Sequence, residues 1–233
     1  NERILLVRDA TKVLRLERMR QDFVANVSHE LRTPLTVLSG YLETFTDSSD
    51  QLPPRCQRGL TLMSEQAARM EHLVSELLTL SRLETSAFKA EAAPIDITEL
   101  LNTIRNDALA LSGQQHQINL VFDNPLRLRG NINELRSAFS NLVFNAVKYT
   151  PQGSTIELHW YQDADGAHLK VQDNGPGIDS KHLAFLTQRF YRVDSSRNSH
   201  TGGTGLGLAI VKHVMLRHQG RLEITSTIRQ GSC

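Results

Sequence analysis

The sequence predicts a helical part followed by an α/β part: a long helical hairpin that pairs with a copy of itself as a four-helix bundle, then an α/β domain. Three observations carry this. Apolar residues recur at spacings of three and four, or sums of them, from Val13 to Leu80. After a linker at residues 87–94 the pattern changes to short strand-like runs between helical segments. The 233 residues, 39% hydrophobic and 22% charged, are enough chain for two ordinary domains with cores of their own, which excludes disorder and a disulfide miniature.

ILLV followed by RDAT, at residues 4–11, reads as the last strand of an upstream domain, and residues 1–10 are assigned to the end of that domain and a linker. The first domain is assigned to residues 11–88. A helix at residues 11–45 carries Val13, Leu16, Val24, Val27, Leu31, Leu35, Leu38, Leu42 and Phe45. A second, starting near Pro54 after TDSSDQLPP and running to about Leu83, carries Leu60, Met63, Ala67, Met70, Val74, Leu77 and Leu80. Two helices make too thin a core for stripes apolar along their whole length, so a homodimer is expected. The second domain is assigned to residues 94–233, with strands at 118–122, 155–161, 168–172 and 222–225. Its helices are expected at 98–111, 132–149, 180–186 and 206–218, and Asn131 with Glu134 supplies a start signal for the second of them.

Lys and Arg number 26 against 25 Asp and Glu, so the net charge of +1 gives no field to gather nucleic acid or anionic lipid over the whole surface. Any anion must be held locally. Cys56 and Cys233 stand in no metal-ligand spacing, which fits a reducing, cytosolic setting. There is no run of 18 apolar residues and no signal peptide, so membrane attachment is expected only through upstream segments.

At about 100° per residue, Val24, Val27, Leu31, Leu35 and Leu38 fall within roughly 60° of one direction, and His29 points about 160° away. His29 therefore faces solvent, with Glu30 beside it, Thr33 one turn on, and Pro34 set to loosen the helix there. A solvated histidine needs no function of its own; imidazole beside a carboxylate is also a competent nucleophile near neutral pH.

In the helix at 132–149, Leu135, Phe139, Leu142 and Ala146 form the packing face, while Asn141, Asn145 and Lys148 make a polar ridge elsewhere. Such a ridge is either plain solvated surface or, since amide oxygens suit Mg2+ and lysine suits phosphate, a phosphate–metal face. DNGPGI, from Asp173 to Ile178, puts a carboxylate at a strand end beside Gly175 and Gly177, as a tight turn or a close approach to a flat ligand. GGTGLGLAIVKHV sets glycines at a helix start, where free N–H groups suit phosphates. A polar loop precedes it rather than a strand, and no Lys-Ser/Thr pair follows, so neither the dinucleotide fingerprint nor the P-loop fits. TQRFYRVDSSRNSHTGG is of a length that a compact domain keeps for functional loops.

FVANVSHELRTPL resembles the H box of the sensor histidine kinases of bacterial two-component systems; NLVFNAVKYT resembles their N box, DNGPGI their G1 box and GGTGLGLAIVKHV their G2 box. The boxes stand in the family's order over residues 14–226. FYR resembles the F box, and the long loop the ATP lid. LTQRFYRVD and LTVLSGYLE resemble the phosphate-regulon branch.

The resemblance implies an ATP-binding domain of the Bergerat (GHKL) type, an α/β sandwich using ATP and Mg2+. It implies that His29 is the phosphoacceptor, Glu30 its orienting base, and Thr33 the holder of a water for dephosphorylating the partner. Asp173 would accept from the adenine amino group and Asn145 would hold Mg2+. Asn141, Lys148, Tyr149, Gly175, Gly177, Gly203, Thr204, Gly205, Leu206 and Gly207 would line the nucleotide, with Arg192 reaching the γ-phosphate. The implied partner is a response-regulator receiver domain, and the implied location the cytoplasmic portion of a bacterial inner-membrane protein. Related ATPases carry a water-activating glutamate where Asn141 stands; an amide takes no proton from water, which argues against hydrolysis as the main output. A non-catalytic scaffold is the other alternative, and autophosphorylation separates the two. The family continues past the equivalent of RQGSC into one more strand, so an open sheet edge is expected.

Overall fold

Local capping and packing signals account for most of the elements in the computed structural model, which describes residues 31, 33–46, 52–85, 93–123, 127–193 and 203–233. The chain divides into two units, Asn1–Ser86 and Ala87–Cys233. His29 and Glu30 lie outside the described residues, as do residues 11–30 of the expected first helix and 194–202 of the long loop.

In the first unit, helix α1 covers residues 33–46 and helix α2 covers Pro54–Thr85. Pro54 opens α2 at the position where its missing N–H is no loss. The Ser39 hydroxyl of α1 donates to Glu71 Oε1 of α2 at 3.0 Å. The apolar stripes divide: Leu35, Leu60, Ala67 and Leu80 are buried, whereas Leu31, Leu38, Phe45, Met63 and Met70 are exposed.

In the second unit, β1 (Ala93–Asp96) pairs antiparallel with β3 (Arg127–Gly130). Between them lie α3 (Ile97–Leu111), capped by Asp96 accepting from Glu99 N, and β2 (Gln117–Phe122). Helix α4 (Ile132–Tyr149) leads into β4 (Thr155–Asp163) and β5 (Gly166–Asp173). The main sheet runs β2-β4-β5, parallel between β2 and β4 and antiparallel between β4 and β5. Ile156, Leu158 and Trp160 alternate inward along β4. They share a core with Leu101 and Ile104 of α3 and Leu135, Phe139 and Val143 of α4. Phe139 and Trp160 meet with ring centroids 6.3 Å apart. The last elements are α5 (Ser180–Leu183), α6 (Gly207–Arg217) and a short pair, β6 (Ser226–Thr227) with β7 (Gly231–Ser232).

Four expectations need correction. The linker expected at 87–94 ends sooner, because Ala93 and Pro94 already pair with Gly130 and Arg129. The helix expected at 180–186 ends at Leu183 and continues as turns. On α4 the buried set is Leu135, Ala138, Phe139, Val143, Ala146 and Val147, and Leu142 is only half-buried. Residues 222–225 alternate like a strand but form none; the pairing begins at Thr225, whose N–H and carbonyl bond to Cys233 at 2.9 and 2.8 Å. β-propensity proposes a strand, and only a ladder partner makes one.

Candidate functional site

The site is built from α4, the turn after β5 and the start of α6. Asn131 caps α4 by accepting from the N–H groups of Asn133 and Glu134, and the helix then presents Asn141, Asn145 and Lys148 as one ridge. Asn141 donates to Ser137 O at 2.9 Å. Its Oδ1 meets Gly207, where a Cβ would collide with it. The side chain of half-buried Asn145 makes no hydrogen bond among the described residues. Lys148 and the exposed Tyr149 border Gly203: a Cβ there would stand 2.5 Å from the Tyr149 hydroxyl and 3.4 Å from Lys148 Nζ. These glycines are places where backbone lies against α4 with no room for a side chain.

Asp173 is the last residue of β5. Its Oδ1 accepts from Gly175 N at 2.8 Å, which fixes the carboxylate and leaves Oδ2 without a hydrogen bond among the described residues. Gly175 is pressed against the Thr150 methyl, and Gly177, at φ 70°, against the Thr227 carbonyl. Ser226 locks this turn: its hydroxyl accepts from Ile178 N at 2.7 Å and donates to Gly231 O at 2.9 Å. Asp179 caps α5; the Lys181 N–H, then the Lys181 ammonium, hold its carboxyl below the usual carboxylate range.

Thr204 Oγ1 accepts from Leu206 N at 3.2 Å, and α6 begins with no side-chain cap hydrogen bond among the described residues, as a helix start that suits an anion does. Leu206 is fully buried, so its side chain anchors the loop in the core rather than lining it. Gly205, at φ 75°, packs on Phe190, whose N–H donates to its carbonyl at 2.9 Å. Arg192, two residues after Phe190, is half-buried, and Tyr191 is bonded through its hydroxyl to His182 Nδ1 at 2.6 Å.

The ridge, the Asp173 turn and the glycine loop, separated in sequence, thus meet. Thr33 is exposed on the first unit, away from this set in sequence. Residue spacing overlooked Thr150 and Ser226. Thr150 directly follows the ridge helix in KYT, a usable signal; Ser226 lies 48 residues from Ile178, and nothing local marks it. Among the described residues no three His, Cys, Asp or Glu side chains could hold a metal by themselves. The donors present are amide oxygens, which fits a hard cation such as Mg2+ that keeps phosphate and water as its other ligands.

Comparison with known proteins agrees with this geometry. Residues 19–86 match the His Kinase A (phospho-acceptor) domain, and residues 130–233 match the histidine kinase-, DNA gyrase B- and HSP90-like ATPase. The phosphate regulon sensor protein PhoR of Pseudomonas aeruginosa is 58% identical over 99% of this chain and 52% of its own length. Its namesake in Haemophilus influenzae is 42% identical over 98% of this chain and 53% of its own. The chain spans about half the length of these curated relatives. Among solved structures, full-length ShkA in complex with AMPPNP superposes with a TM-score of 0.74 at 26% identity, covering 91% of this chain and 44% of its own.

Proposed function

Because this chain belongs to the sensor histidine kinases, we propose that it transfers the γ-phosphoryl group of ATP to His29 and then to an aspartate of a response-regulator receiver domain. The observation that carries the reading is the meeting of the Asn141–Asn145 ridge, the Asp173 turn and the open start of α6.

Asp173 Oδ2 accepts from the adenine amino group. The α6 N–H groups and Lys148 take the phosphates, and Arg192 meets the γ-phosphoryl. Asn145 holds Mg2+, which when bound neutralises charge on the phosphate oxygens. A His29 ring nitrogen forms the bond to phosphorus as the bond to the β–γ bridging oxygen breaks and ADP leaves. Glu30 takes up the charge developing at the other ring nitrogen. Phosphoryl transfer has a loose transition state, so positioning and charge neutralisation supply most of the rate. His29 and Asn145 belong to different units, so transfer requires them to meet, within one chain or between two.

In the reverse duty Thr33 holds the water that removes phosphate from the regulator. The exposed Leu31, Leu38, Tyr41, Phe45, Met63 and Met70 support pairing of the hairpin with a second copy. The relatives' names support phosphate-regulon signalling. On the family reading this chain is the cytoplasmic part of an inner-membrane sensor; no described helix is long and apolar enough to cross a membrane.

The test is incorporation of label from γ-labelled ATP with Mg2+. Acid-labile, base-stable label that disappears in His29→Gln supports the reading; a chain that binds ATP and never labels overturns it.

A further inference from the structure

The end of the α4–α6 pair remote from the proposed nucleotide site is held by a buried polar clamp to which no role has been assigned. The two helices run antiparallel: Gly207, opening α6, abuts Asn141, while Arg217, closing α6, reaches Glu134 in the first turn of α4. Arg217 Nε donates to Glu134 Oε2 at 3.0 Å and Nη2 to Oε1 at 3.0 Å, with the two side chains only 7% and 17% exposed. His218, the cap residue of α6, continues the clamp. Its Nδ1 stands 2.9 Å from Val214 O, and its Nε2 accepts from Asn131 N–H, the backbone of the α4 cap, at 3.1 Å. Gly130, the last residue of β3, passes under the ring: a Cβ there would lie 2.8 Å from His218 Cδ2 and 2.8 Å from Leu135 Cδ1.

These partners dictate one protonation state. Nε2 faces an N–H donor and must keep its lone pair, while Nδ1 faces a carbonyl and must carry the hydrogen. A proton added at Nε2 would set two donors against each other and break the bond to the α4 cap. The charged groups beside the ring are Glu134 of α4, with Oε2 3.9 Å from Nδ1, and Arg217 of its own helix; β3 meets it through the Gly130 backbone.

We propose that neutral His218, with the Arg217–Glu134 pair, is a positioning device that sets nucleotide affinity by fixing α6 against α4 about 15 Å from Asn141. The proposal rests on the nucleotide reading above. The glycine loop and the asparagine ridge sit on the near ends of these two helices, so a shift at the clamped ends changes the separation of the groups that hold the phosphates.

The experiment measures the affinity of the whole chain for a non-hydrolysable ATP analogue with Mg2+, and the KM and kcat of self-labelling. His218→Leu, which removes the acceptor, is expected to weaken binding about tenfold and raise KM with kcat unchanged. His218→Gln, whose amide oxygen can accept from Asn131 N–H, is expected to restore the wild-type affinity. Equal affinity in the wild type and His218→Leu, or a loss in His218→Gln as large as that in His218→Leu, would overturn the proposal. Should His218→Leu fail to fold, Arg217→Lys, which gives up the two-pronged bond to Glu134, is read in its place, and unchanged affinity and KM in that variant overturn the proposal. A wild-type chain that binds no nucleotide overturns the nucleotide reading itself; binding that the variants leave untouched overturns only this one.

Discussion

Asn145 is half-buried and its side chain makes no hydrogen bond among the described residues, so the described fold does not use its side-chain amide. Asn145→Ala should therefore change stability by no more than about 0.5 kcal/mol in a thermal melt, while lowering self-labelling about a hundredfold. Gly207 poses the opposite case, because it has no space for even a methyl group against Asn141. Alanine favours a helix, so the penalty of Gly207→Ala comes from the collision, about 1–3 kcal/mol. It should appear as weaker nucleotide binding in calorimetry, through displacement of the ridge. At this scale composition and spacing identify which residue types could do the chemistry. They do not show that Asn141 touches Gly207 or that Thr150 backs Gly175, since such contacts join segments far apart in the chain.

Helix α4 is legible to its bounds, Ile132–Tyr149, because its signals are local: an Asn cap, an apolar face and a proline after Thr150. The start signal read from Asn131 with Glu134 holds only in part, since Asn131 caps but Glu134 turns its carboxylate to Arg217 instead of back to the cap. Removing one member of a buried pair leaves the other charge uncompensated. Glu134→Ala should therefore lower unfolding free energy by about 3 kcal/mol in denaturant titration, and the double variant with Arg217→Ala should lose less than the sum of the two single changes. Strands β1 and β3 escape a reading by pattern because APID and RLRG are four residues each, too short for a period to stand out, and only their mutual pairing makes them strands. At α5, the depressed Asp179 carboxyl binds a proton less readily when folded than when unfolded. Its ionisation thus contributes stability above the ordinary carboxylate pKa, and that contribution is lost as pH falls through the lowered value. The stability difference between the wild type and Asp179→Asn should shrink toward acid, measured by melts from about pH 7 to about pH 2.

At the scale of the molecule, the proposed chemistry is divided between two units, one carrying the HELRTP string and the other the proposed nucleotide site. The exposed apolar residues of the hairpin, with Leu38 and Phe45 more than half exposed at 51% and 55%, are what a second copy would cover. Leu38→Glu with Phe45→Glu should convert a dimer to a monomer in light scattering. The order of the boxes is a property of the linear chain and is legible in it directly. The convergence of the N, G1 and G2 boxes is not, because periodicity reports which face a residue takes and not which distant segment meets it. The most direct test of the whole account is to incubate the chain with Mg2+-ATP and locate the phosphate by mass spectrometry under conditions that preserve phosphohistidine, alongside Asn145→Ala. The account predicts phosphate on His29 in the wild type and about a hundredfold less in the variant. Phosphate on another residue, or equal phosphate on His29 in both, would contradict it.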